Sequence, residues 1–135
     1  MAKVLIVEDD FFCRQLLMEL LKNHFEIIHI AVNGREAVDA FNLSLDDQEP
    51  YDLICLDIMM PEMDGHAALQ EIRKLEQKKG IGGNILVKVL MTTALNTSKD
   101  IVAAFVKGSC EGYLTKPLDH EKLDEYLKKF GLYKN

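Results

Sequence analysis

Glu8 and Asp9 follow directly on an unbroken apolar run at residues 4–7, and Asp57 follows on another at 53–56. A charge at the end of a buried strand must be solvated, paired or metal-bound, because its water has been taken away. Two carboxylates about 4 Å apart repel by roughly 4 kcal/mol at an effective dielectric of 20, so a cluster of them calls for a cation. Hard oxygen ligands in a partly wet crevice suit Mg²⁺, which keeps several waters and takes one or two carboxylates. The expected direct ligands are Asp9, Asp57 and the backbone carbonyl of Met59, with Glu8 acting through water. Thr93 and Lys116 stand just after two later strand-like segments and bring a hydroxyl and a positive charge. A metal, a lysine and a hydroxyl around one carboxylate would neutralise and hold a phosphoryl group attached to it. Asp57 would be the nucleophile, attacking phosphorus in line to form an acyl phosphate.

These residues reach one place only if the intervening elements carry them there. The run at 53–56 is too short for an ordinary helix and lies between Pro50 and a turn containing Pro61 and Gly65, which predicts a strand buried on both faces. A strand at 4–7 leads into a helix over 11–22, with Leu16, Leu17, Leu20 and Leu21 at helical spacing. A strand at 26–31 precedes Asn33, a helix cap with Glu36 in capping-box position, and Ala37, Val38, Ala40 and Phe41 supply that helix's buried face. The polar stretch 44–50 is expected to end it. A helix over 66–79 turns Leu69, Ile72 and Leu75 inward, until Gly80, Gly82 and Gly83 break it. A strand follows at 88–92, with an earlier start at 85 as the alternative. Thr97 or Ser98 caps a helix through 107, a last strand covers 112–115, and Asp119 caps a final helix that Gly131 closes. Five strands alternating with five helices predict an α/β fold, a doubly wound (βα)5 unit with a parallel sheet. A strand order of 2-1-3-4-5 puts strands one and three side by side, so Glu8, Asp9 and Asp57 meet in one crevice.

Composition narrows the function classes. The 135 residues make a single domain, 48% apolar and 28% charged, as in an ordinary globular protein. No segment approaches the roughly 20 apolar residues that span a bilayer, and the N-terminus runs straight into structure; a cytoplasmic location is expected. The net charge of −6 and the lack of a basic patch argue against direct nucleic-acid or acidic-membrane binding. Cys13, Cys55 and Cys110 have no CxxC spacing, and Cys55, inside the central strand, is expected to be a structural thiol. The four histidines, His24, His29, His66 and His120, show no ligand spacing.

The segments VLIVEDD, LICLDIMMPEMDG, MTTA and YLTKP stand in an order and spacing that resembles the receiver domain of two-component response regulators, over nearly the whole chain. The resemblance implies a flavodoxin-like fold, Mg²⁺ dependence, and phosphotransfer from the phosphohistidine of a sensor histidine kinase or histidine phosphotransfer protein. By position it makes Asp57 the phosphoacceptor, Glu8 and Asp9 the acidic pair, Thr93 the switch hydroxyl, Lys116 the conserved-type lysine and Tyr113 the switch aromatic. It implies a signalling domain that catalyses only its own phosphorylation and dephosphorylation. The signal would leave through the face of the fourth helix, fifth strand and fifth helix to a downstream protein; with the chain ending at Asn135, no output domain is expected. Phe11 and Phe12, beside the crevice, offer either an exposed docking aromatic for the phosphodonor or a core residue.

Three features depart from the family pattern. The segment 76–84 is long, the glycine preceding the fifth strand is displaced to Gly108 with Ser109 in its usual place, and both Met59 and Leu95 are apolar where fast-hydrolysing members carry polar groups. Slow autodephosphorylation is the expectation. Two enzyme-like or cofactor-binding readings of the same motifs fit less well. A haloacid-dehalogenase-like phosphohydrolase needs an acid at position 59, where Met59 stands, and a flavin site needs a Ser/Thr-rich loop after the first strand. A receiver-like fold that binds partners without phosphate is a third reading, against which the full acidic set argues.

Overall fold

The computed structural model of the chain describes residues 1–60, 63–94 and 110–135. Strands β1 (Lys3–Val7), β2 (Ile27–Ala31), β3 (Leu53–Asp57), β4 (Lys88–Thr93) and β5 (Gly112–Thr115) form one parallel sheet in the order β2-β1-β3-β4-β5. This is the doubly wound, flavodoxin-like arrangement expected from the alternation of elements. Every residue of β1 and of β3 is buried, which is why both read as unbroken apolar runs rather than as alternating strands.

Alternate residues of the strands feed two separate cores. Val4, Ile6, Leu53, Cys55, Leu90 and Leu114 face α1 (Phe11–Leu21) and the C-terminal helix α4 (His120–Phe130), meeting Leu17, Leu21, Leu123 and Leu127. Leu5, Val7, Ile54, Leu56, Val89 and Met91 face α2 (Gly34–Asp46) and α3 (Gly65–Lys78), meeting Ala37, Val38, Phe41, Ala68, Leu69 and Ile72. Each fully buried Leu or Ile side chain contributes about 1.5–3 kcal/mol, so the sheet is held from both sides by many independent contacts. The helix expected over 97–107 lies outside the described residues.

All four described helices begin at the same edge of the sheet, and each has a side-chain cap. Asp10 Oδ1 accepts from the Cys13 N–H at 3.0 Å, Asn33 Oδ1 from Glu36 at 2.8 Å, Asp64 Oδ1 from Ala67 at 2.9 Å and Asp119 Oδ1 from Glu121 at 2.9 Å. Each such cap is worth about 1 kcal/mol and fixes where the loop above the sheet ends. At α2 the reciprocal bond of the capping box reaches one residue further back than the motif suggests: Glu36 Oε1 accepts from the Val32 N–H at 2.9 Å.

Helix α2 ends at Asp46, inside the polar stretch expected to stop it, and buried Ser44 donates its hydroxyl to the Phe41 carbonyl at 2.6 Å. One sequence alternative needs correction. Strand β4 does not start at 85: Gly83–Ile85 is a single 3₁₀ turn with Gly83 at φ 66°, a left-handed conformation that interrupts any extension of the strand backwards. The long connection is anchored at the opposite end of the sheet from the acids. There buried Glu76 accepts from Arg73 at 2.7 Å and from the Val87 N–H at 2.7 Å, and Arg73 continues to Glu111 at 3.2 Å.

Candidate functional site

Register brings the acids together. Val7 pairs with Leu56, so the residues that follow, Glu8 and Asp57, leave adjacent strands side by side, and Asp57 itself pairs with Thr92. Asp9 comes next along the loop and is exposed, whereas Glu8 is fully buried and Asp57 is 4% exposed. One carboxylate oxygen from each of Glu8, Asp9 and Asp57 lies within 4.8 Å of the others. Lys116, immediately after β5, reaches across the sheet edge to place its Nζ 2.9 Å from Glu8 Oε1 and 3.4 Å from Asp57 Oδ2.

The backbone holds these side chains. Asp57 Oδ1 accepts from the Met59 N–H at 3.2 Å, and Glu8 Oε2 accepts from the Asp10 N–H at 3.2 Å. The Arg14 guanidinium, one turn into α1, donates to the Glu8 carbonyl oxygen at 2.9 Å. The Lys116 N–H donates to the Thr93 carbonyl at 2.7 Å, and the Lys116–Pro117 peptide is cis. Gly65 closes the loop beneath Asp57: its N–H donates to the Ile58 carbonyl at 2.9 Å, and a Cβ there would lie 2.4 Å from the Asp57 carbonyl oxygen.

Three carboxylates thus converge around one ammonium that pairs with two of them, Glu8 and Asp57. Burial pushes the Glu8 carboxyl above its usual range, and the neighbouring Asp57 pushes the same way against the pull of Lys116. Burial alone would lower the Lys116 ammonium, yet the Glu8 and Asp57 carboxylates outweigh it and hold Lys116 above the usual lysine value. Glu8 Oε1 is buried and, despite the close ion pair, accepts no aligned hydrogen bond among the described residues. A cluster with that excess of negative charge and an unsatisfied buried oxygen fits a hard divalent cation.

Thr93 ends β4 at the same edge, buried, with a hydroxyl that has no hydrogen-bond partner among the described residues. Met59 meets Asp57 through its backbone N–H, and the residue is 66% exposed. Tyr113 lies on β5 opposite Met91, half-buried against the α2/α3 core, with its N–H donating to the Tyr126 hydroxyl at 3.4 Å. Phe11 and Phe12 are 56% and 82% exposed and meet edge to face at 5.7 Å, so the alternative in which one enters the core is excluded. Leu95, Gly108 and Ser109 lie outside the described residues.

Cys55 is fully buried and its thiol is pushed up to about 12 by burial, as a structural thiol should be. His24 and His29 are engaged elsewhere, His24 Nδ1 accepting from the Lys134 N–H at 2.9 Å and His29 Nδ1 bonding the Tyr51 hydroxyl at 2.7 Å. Sequence reasoning missed Arg14, whose position one turn into a capped helix after the acids was the available signal, and Thr92, the unremarked first threonine of the MTTA segment.

Residues 4–128 match the response regulator receiver domain family. The chain belongs to that family. This receiver is 35% identical over 130 residues to the chemotaxis protein CheY of Listeria monocytogenes, covering 96% of this chain and 98% of that one. It is 39% identical over 118 residues to CheY of Halobacterium salinarum, covering 87% of each. Among solved structures, it resembles the CheX–CheY–BeF3–Mg²⁺ complex from Borrelia burgdorferi at 30% identity and a TM-score of 0.75, covering 96% of this chain and 89% of that one. The Mg²⁺ complex of the receiver domain of the histidine kinase CKI1 from Arabidopsis thaliana gives 25% identity and a TM-score of 0.82, covering 95% and 90%. Receivers are signalling domains of two-component systems, and their phosphorylation with Mg²⁺ is general to the family. No described helix of this receiver is long and apolar enough to cross a membrane.

Proposed function

We propose that this receiver accepts a phosphoryl group on Asp57 from a phosphohistidine of a sensor kinase or phosphotransfer protein, and thereby switches its affinity for a downstream protein. The observation that carries the proposal is the buried Asp57 carboxylate, gathered within 4.8 Å of Glu8 and Asp9 and lying 3.4 Å from Lys116. Glu8, Asp9, Asp57 and the Met59 carbonyl would hold Mg²⁺, which when bound supplies positive charge to phosphoryl oxygens at the mouth of the crevice.

An Asp57 oxygen attacks phosphorus in line. The new P–O bond forms as the P–N bond to the donor imidazole breaks, and the electron pair stays on the imidazole nitrogen. Lys116, held as an ammonium by two carboxylates, neutralises charge on the transferred group. The Thr93 hydroxyl, buried and without a hydrogen-bond partner among the described residues, is a ready donor to a phosphoryl oxygen.

In the proposed switch, Thr93 moves toward the phosphoryl group and the half-buried Tyr113 ring takes up the space it leaves, changing the surface of β5 and the C-terminal helix together with the fourth helix of the sequence pattern. Couplings of this kind are about 1–3 kcal/mol, so the unphosphorylated receiver samples the active arrangement. The exposed pair Phe11 and Phe12, at the start of α1 beside the crevice, is the proposed contact for the phosphodonor. The net charge of −6 favours protein over nucleic acid as the output.

Incubation with acetyl phosphate and Mg²⁺, followed by intact-mass measurement, tests the central step. Wild type should gain one phosphoryl group and Asp57→Asn none; equal labelling of both, or of neither, removes Asp57 from the role.

A further inference from the structure

Thr92 pairs with Asp57 across β3 and β4, and with Leu114 across β4 and β5. Register partners in a parallel ladder project to the same side of the sheet, here the side where Leu90 and Leu114 pack under α1 and α4. Thr92 therefore stands next to Asp57, between it and the strand that delivers Lys116. The Lys116 side chain has to pass over β4 at this level to bring its ammonium 3.4 Å from Asp57 Oδ2 and 2.9 Å from Glu8 Oε1. Thr92 is 1% exposed, and its hydroxyl has no hydrogen-bond partner among the described residues. Valine has nearly the same shape and would leave no buried donor unsatisfied, so packing gives no reason for a hydroxyl at this register.

From this juxtaposition we propose that Thr92 assists loss of the phosphoryl group, its hydroxyl donating to the aspartyl oxygens of Asp57 as the bond to phosphorus breaks. The inference rests on Asp57 being the phosphoacceptor. In the unphosphorylated site, Asp57 Oδ1 takes the Met59 N–H and Oδ2 faces Lys116. Once Asp57 is phosphorylated, Lys116 follows the phosphoryl charge, and Thr92 supplies the donor on the sheet side of the aspartyl group. In hydrolysis the water oxygen forms a new bond to phosphorus and the bond from phosphorus to the Asp57 oxygen breaks. The electron pair returns to the carboxylate, and the proton of the water passes to solvent. Negative charge grows on Asp57 as that bond breaks, so a hydrogen bond to it strengthens in the transition state and speeds hydrolysis.

The test compares wild type, Thr92→Val, Thr92→Ala and Thr92→Ser. Each is phosphorylated with acetyl phosphate and Mg²⁺, freed of donor, and followed by intact mass as the phosphoryl group is lost, with thermal melting alongside. Val and Ala should slow the loss roughly threefold to tenfold, Ser should stay within about twofold of wild type, and the Val variant should melt no lower than wild type. Decay of Val and Ala at the wild-type rate, or of Ser as slowly as Val, overturns the proposal. A wild type that takes up no phosphoryl group is a different result, which removes the phosphoacceptor assignment and this inference with it.

Discussion

The Lys116 ammonium lies 2.9 Å from the Glu8 carboxylate, joining the end of the last strand to the end of the first across the whole site. Glu8 is buried and Lys116 mostly so; removing the lysine leaves two acids facing each other without compensation. Lys116→Met should lower stability in urea melts by about 2–3 kcal/mol, less than a wholly buried pair because part of the lysine is solvated. It should also abolish detectable phosphorylation by acetyl phosphate. A melt indistinguishable from wild type would show that the pair is idle in the folded chain.

A divalent ion should stabilise the folded receiver, since the three carboxylates converge only when the sheet is formed. At a Mg²⁺ concentration of about 100 times Kd the gain is about 2.7 kcal/mol, seen as a rise in Tm. Asp9→Asn should reduce that rise, with little effect on the metal-free Tm because Asp9 is exposed. Equal Mg²⁺ responses of the two proteins would place the ion elsewhere.

Gly65→Ala tests the loop under the phosphoacceptor. Its Cβ would lie 2.4 Å from the Asp57 carbonyl oxygen and 2.8 Å from the Ile58 Cα, so the backbone carrying Asp57 must shift. A loss of about 1–3 kcal/mol and slower phosphorylation are expected. Gly82→Ala is the control: among the described residues nothing lies within 4 Å of its Cβ, and its φ of −157° is ordinary extended backbone, so neither property should change.

Met59 gives an expectation for phosphate lifetime. Its exposed apolar side chain beside Asp57 offers no group to orient water. Met59→Asn should shorten the lifetime of the phosphorylated form, on the order of tenfold for a well-placed polar group. A wild-type half-life of seconds would contradict the premise.

Cys55 should resist alkylation in the folded state. Burial raises its thiol from the usual 9.0 to about 12, so its contribution to stability is fully present below the unfolded value and is lost as pH rises from there through the folded one. Iodoacetamide at about pH 8 should modify Cys55 only after denaturant is added. Peptide mapping that finds native-state labelling of Cys55 ahead of Cys13 would indicate that the central strand opens readily.

Much of the architecture follows from local pattern. Strands β1 and β3 announce themselves because burial on both faces demands unbroken apolar runs, and the caps Asn33 and Asp119 sit where side-chain oxygens must satisfy free N–H groups. The candidate site was legible as Glu8, Asp9, Asp57, Thr93 and Lys116 because each stands at a strand's carboxyl end, and the alternation of elements sends all those ends to one edge. The exact end of α2 was not legible within the polar stretch, where the bond from the Ser44 hydroxyl to the Phe41 carbonyl is not revealed by composition.

By itself, then, the sequence determined which elements form and which residues end the strands, because hydrophobic periodicity and capping are short-range. Tertiary structure alone decided what those residues do to one another: the 2.9 Å approach of Lys116 to Glu8, the exposure of both Phe11 and Phe12, and the register that sets Thr92 opposite Asp57. The first and third depend on strand order and register, which pair residues distant along the chain and set which side of the sheet a side chain faces.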